Sequence, residues 1–128
     1  MKYLRDKDMI DVYNQILKSG INVTMLTREK VARMVSSSEA PRFYITPKMA
    51  ERYVYGYLRG ENPVQSSTRQ RMICNLVEVY HHIMRSGKYR TKVEVWNAVV
   101  RHPAKEFYAG HKTVINLIYT KIHQYERK

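Results

Sequence analysis

Residues 78–87, EVYHHIMRSG, restate residues 11–20, DVYNQILKSG, after an interval of 67 positions. Five of the ten pairs are identical: Val12/Val79, Tyr13/Tyr80, Ile16/Ile83, Ser19/Ser86 and Gly20/Gly87. Three more keep their chemistry, as Asp11/Glu78, Leu17/Met84 and Lys18/Arg85. The likeness continues downstream. Residues 27–58 lie over residues 91–122 without a gap at an offset of 64, with eight of 32 pairs identical: Thr27/Thr91, Val31/Val95, Val35/Val99, Ala40/Ala104, Phe43/Phe107, Tyr44/Tyr108, Lys48/Lys112 and Tyr55/Tyr119. The offset falls because the connector shortens from INVTML (21–26) to KYR (88–90). Two matching blocks in one order, separated by a loop that changed length, read as an internal duplication, one supersecondary unit used twice.

Local signals give the unit its shape. Met9, Ile10, Tyr13, Ile16 and Leu17 recur at helical spacing, as do Leu76, Val77, Tyr80, Ile83 and Met84, so each first helix presents one apolar stripe. Ser-Gly ends both, with Gly20 and Gly87 suited to a left-handed C-terminal cap. Thr27 and Thr91 are N-caps for the second helices, and TKVE (91–94) reads as a capping box. Val31, Met34 and Val35, or Val95, Ala98 and Val99, face inward from them. A connector of about nine residues follows in each copy, carrying a proline and the shared Phe-Tyr pair, which pins it to the core. Thr46-Pro47 opens the third helix, and its copy starts near His111. The expected fold is all-α: six helices as two tandem three-helix repeats, residues 1–62 and 63–128, joined by GENPVQSS (60–67). Units this small are marginal alone, so a shared core across a pseudo-twofold is expected.

The charge narrows the partner. Twenty-three Lys and Arg against eleven Asp and Glu leave +12, a balance that favours a polyanion. Residues 1–64 hold eleven basic and seven acidic side chains, net +4, and residues 65–128 hold twelve and four, net +8. No apolar run approaches the ~20 residues of a membrane span, and the charged start is unlike a secretory signal. One cysteine, Cys74, precludes an internal disulfide, fits a reducing, cytoplasmic setting and reads as a small core residue among Met72, Ile73, Leu76 and Val77.

A short trihelical unit on a basic chain resembles helix-turn-helix DNA-binding domains in architecture and charge. The resemblance implies a third helix in the major groove of double-stranded DNA. The turn before that helix, about nine residues, is longer than the three or four of the standard motif. The outward face of the first copy's third helix carries Lys48, Glu51, Arg52, Tyr55 and Arg59. Its counterpart carries Lys112, Ile115, Asn116, Tyr119 and His123. A first-turn lysine is mildly unfavourable against the helix dipole unless an anion docks there. Arg52 and Asn116, at equivalent positions, suit guanine and adenine respectively. Tyr55 and Tyr119 can donate to phosphate or stack on bases, or else pack between the units. Arg28, Arg33, Arg42, Arg90, Lys92 and Arg101 are candidate supporting phosphate contacts, and Trp96 is expected to fill the seam between units.

Catalysis finds no support in the sequence. His81 and His82 point about 100° apart on one helix, and His102, His111 and His123 lack partners at ligand spacing. No glycine-rich phosphate loop is present, and no cofactor or metal is expected. RNA binding is an alternative. So is a structural or adaptor role in a phage or mobile-element assembly, with a protein partner held by an adhesive surface of tyrosines and methionines. The chain is expected to be a monomer with an internal pseudo-twofold, or a dimer.

Overall fold

The computed structural model describes residues 2–19, 27–61 and 66–126, with side chains through Thr120. These residues form six α-helices and no strands: α1 (Lys2–Lys18), α2 (Arg28–Ser36), α3 (Pro47–Leu58), α4 (Ser67–Ser86), α5 (Lys92–Arg101) and α6 (His111–Glu126). The expected cap at Gly20, the connector 21–26, most of the linker (62–65) and the side chains of Ile122 and His123 lie outside the described residues.

Helix starts follow their caps. The hydroxyls of Thr27, Thr46 and Ser66 accept the N–H groups of Lys30, Met49 and Arg69, at 3.2, 3.2 and 3.3 Å. Thr91 accepts from Glu94, and the Glu94 carboxylate reaches back to the Arg90 N–H, one residue before the cap. Gly87 ends α4 in the left-handed conformation at φ 65°, which glycine adopts without steric penalty.

The packing does not follow chain order. α3 lies chiefly against α4 and α5, and α6 against α1 and α2. Each third helix therefore completes the helix pair of the other half. The two connectors make this crossing and bind each other where they meet. Ala40 and Ala104 exchange both backbone hydrogen bonds at 2.9 Å. The Phe43 N–H donates to the Val100 carbonyl at 2.9 Å, and the Phe107 N–H to the Ser36 carbonyl at 3.0 Å. Phe43 stacks on Tyr108, with ring centres 6.3 Å apart, and Tyr44 on Phe107 at 6.0 Å.

The connectors are also tied to the first helices. Tyr44 donates its hydroxyl to the Asp8 carboxylate. Tyr108 donates to the Asn75 side-chain oxygen at 2.7 Å, and that oxygen also takes the Lys105 N–H at 3.0 Å. Burial first, and the Asp8 bond second, hold the Tyr44 phenol well above its ordinary range. Burial does the same for Tyr108, with the Glu106 charge next.

One buried cluster holds Met9, Val35, Phe43, Val54, Leu76, Val99, Phe107 and Val114. Three expectations for it fail. Cys74 is exposed, because it falls on the α4 stripe of Arg71, Glu78, His81 and Arg85 rather than on the inward stripe of Ile73, Leu76 and Val77. Leu17 and Met84, counterparts in the alignment, are 45% and 52% exposed, each one step round the helix from the inward Ile16 and buried Ile83.

Candidate nucleic-acid interface

On α3, the Thr46 cap and Pro47 at the first helical position set the start of the helix, which exposes Lys48 in its first turn. Arg52 is exposed one turn later. Arg59 is exposed just past the helix end, 3.3 Å from the Glu61 carboxylate. Tyr55 points elsewhere. Its ring meets Trp96 edge-on at 5.5 Å and Tyr80 at 6.4 Å, while Tyr80 and Trp96 stack at 5.0 Å. Trp96 is buried on α5, in contact with Tyr55 of α3 and Tyr80 of α4.

On α6, Lys112 and Asn116 are exposed. Ile115, expected on the outward face, is half-buried against the core. Tyr119 is 45% exposed, with the Arg28 guanidinium 5.0 Å from its ring centre. The His123 side chain is outside the described residues.

The supporting cations distribute themselves by packing rather than by sequence. Arg28 sits on Tyr119, and Arg33 shares a groove of about 450 Å³ with Gly110 and His111. The start of α2 thus lies by the later part of α6, and the end of α2 by its beginning, so the helices run antiparallel. Arg28 and Arg33 flank α6, not the α3 that follows them in the chain. Lys92 and Arg101 are exposed on α5, the helix that packs on α3. Arg90 is exposed just before α5. Arg42 is half-buried in the first connector, its Nε donating to the Phe43 carbonyl at 3.1 Å and its guanidinium 6.0 Å from the Tyr44 ring. Among the described residues, ion pairs engage Arg5, Arg59, Arg71 and Lys105. Lys48, Arg52 and Lys112 are in none of them.

A cleft of about 250 Å³ opens between the two Phe-Tyr connectors and the first turn of α4. Arg5, Arg42 and Arg69 line it together with Tyr44 and Tyr53. Arg5 and Arg69 escape a sequence reading, because α1 and α4 announce themselves only as packing helices. Their closeness depends on the crossing of the connectors, which no local pattern encodes. No group of three or more His, Cys, Asp or Glu side chains among the described residues could hold a metal ion. No helix among them is long and apolar enough to cross a membrane. Comparisons with protein families, with curated protein sequences and with solved structures find no match.

Proposed function

We propose that the chain is a non-catalytic DNA-binding protein, built by internal duplication of a three-helix unit whose third helices are exchanged. The duplication draws support from bonds that recur at the sequence offset. Ala40 pairs with Ala104, Phe43 to Val100 has its counterpart in Phe107 to Ser36, and Tyr44 to Asp8 has its counterpart in Tyr108 to Asn75. The helix contacts fall into the same matched pairs, α2 with α6 against α5 with α3, and α1 with α6 against α4 with α3.

One observation carries the functional reading. A chain of net charge +12 leaves Lys48, Arg52 and Lys112 exposed and outside the ion pairs among its described residues, on the two helices whose outward faces the resemblance singles out. Lys92 and Arg101 are exposed on α5, which packs on α3, and Arg28 on α2 lies over the Tyr119 ring of α6. An inserted helix would then have its phosphate-contacting flanks supplied by its neighbour.

The test is binding to duplex DNA, single strands and RNA across several salt concentrations, with mixed-sequence competitor. Duplex binding should weaken with salt, and Lys48→Ala or Lys112→Ala should each lower the slope of log affinity against log salt by roughly 0.9. The loss should be alike on every sequence. Arg52→Ala and Asn116→Ala should cost about 1–3 kcal/mol on a preferred site and little on random duplex. Four folded variants that bind like the parent would remove these faces as the contact surface. Preference for RNA in the same assay would replace DNA as the partner. The adaptor reading draws on exposed apolar side chains near the α4–α5 turn, where Met84, Tyr89 and Val93 face solvent.

A further inference from the structure

The cleft beside the first turn of α4 belongs to neither outward helix face. Its lining holds three arginines, Arg5 from α1, Arg42 from the first connector and Arg69 from α4, and no carboxylate. Asp6 offsets Arg5, whereas Arg42 and Arg69 are in no ion pair among the described residues, so an anion in the cleft meets charge not already neutralised. The geometry of the three arginines is partly fixed. The Phe43 carbonyl holds the Arg42 Nε at 3.1 Å, and Arg69 lies 5.9 Å from the centre of the Tyr53 ring. Arg5 pairs with Asp6 at 3.4 Å through one terminal nitrogen, while its buried Nε has no hydrogen-bond partner. The start of α4 adds backbone N–H groups, because the Ser66 cap takes only that of Arg69.

The walls are aromatic. Tyr44 and Tyr53 are half-buried there, with Phe107 beneath. Guanidinium forks match phosphate oxygens in pairs, and tyrosine faces stack on any base. At about 250 Å³ the cleft lies just below the usual range for ligand pockets, too small for a dinucleotide. We propose that it binds one nucleotide, its phosphate held by Arg42, Arg69 and the start of α4, and its base against Tyr44 and Tyr53. A free mononucleotide and the phosphorylated 5′ end of a single strand present the same chemistry. The strand-end source rests on the nucleic-acid reading above, and the free mononucleotide does not.

The full chain is titrated calorimetrically with adenosine 5′-monophosphate, adenosine, O-phosphotyrosine, and one short single strand with and without a 5′-phosphate. The monophosphate should saturate one site and bind at least about tenfold more tightly than adenosine. Arg69→Gln and Arg42→Gln, checked for folding by circular dichroism, should each weaken it about tenfold or more, the loss of one charged hydrogen bond. Lys48→Ala and Lys112→Ala should leave it unchanged, so failure of the duplex faces and failure of this cleft are read separately. A 5′-phosphate that tightens the strand in the parent and not in Arg69→Gln assigns the site to strand ends. Equal strand affinities alongside saturable monophosphate binding assign it to the free nucleotide. The proposal is overturned if the monophosphate does not saturate, if neither arginine variant weakens it, or if O-phosphotyrosine binds more tightly.

Discussion

Tyr55 and Tyr119 are aligned and identical in sequence, and the fold uses them differently. Tyr55 is half-buried against Trp96 and Tyr80, where α3 meets α4 and α5. Tyr119 faces solvent beneath Arg28, where α6 meets α2. The difference traces to one position. Trp96 aligns with Ala32, and both are buried, but only the indole is large enough to draw the tyrosine of the facing helix inward. Retention of a residue in both halves is therefore no guide to a shared role. Of the two outward pairs kept in both halves, Lys48 and Lys112 are exposed on both sides, and the tyrosines are not.

The largest effects should fall where the halves are alike. Phe43→Ala and Phe107→Ala each remove a buried ring stacked on the opposite connector, and each should cost about 3–5 kcal/mol in denaturant unfolding. Unequal losses would show that one connector anchors the other. The comparison of tyrosines sharpens next. Trp96→Ala should also cost about 3–5 kcal/mol, whereas Tyr119→Ala forfeits an exposed cation–π contact and should cost no more than about 1 kcal/mol. A Tyr119 variant as unstable as the Trp96 variant would erase the distinction.

A smaller asymmetry concerns the tyrosine anchors. Asn75 is buried and accepts two hydrogen bonds, so Asn75→Ala should cost about 2–3 kcal/mol, by thermal or urea unfolding. Asp8 is half-buried and accepts the Tyr44 hydroxyl, so Asp8→Ala should cost about 1 kcal/mol. The smallest effect is alkaline. Folding raises the Tyr44 and Tyr108 phenols above the ordinary value of about 10, so the native state holds these protons more tightly. That stabilisation is complete below about pH 10 and is lost as pH climbs beyond it. Urea midpoints should therefore hold from pH 8 to 10 as far as these phenols are concerned, then fall as pH rises above about 10 in the parent, and fall less in Tyr44→Phe or Tyr108→Phe. Midpoints with the same pH dependence in all three proteins would show that neither hydroxyl titrates against the fold.

Helix number and most helix boundaries were legible because caps and apolar spacing are local. Thr27, Thr46, Thr91 and Gly87 each act within a few residues of themselves. Cys74, Met84 and Leu17 were misplaced for a related reason. Apolar neighbours in sequence do not fix which side of a crowded helix is inward, and that depends on the partner helix. Which third helix packs on which pair was not legible at all, since α3 can satisfy its Ala50–Val54 face against either half. The outward lysines could be read from the helix phase. The arginine-lined cleft could not, because Arg5 and Arg69 are brought together by chain segments far apart in sequence.

The crossing of the connectors also sets a timetable. α1 and α6 pack together although roughly ninety residues separate them along the chain. Helical proteins fold fast when their contacts are local, and here the last helix must return to the first before either end is complete. Refolding should thus be slow for an all-helical chain of this size, its rate limited by closing that long loop. At high concentration an α6 from a neighbouring molecule can close it instead, giving an exchanged dimer that repeats the same contacts.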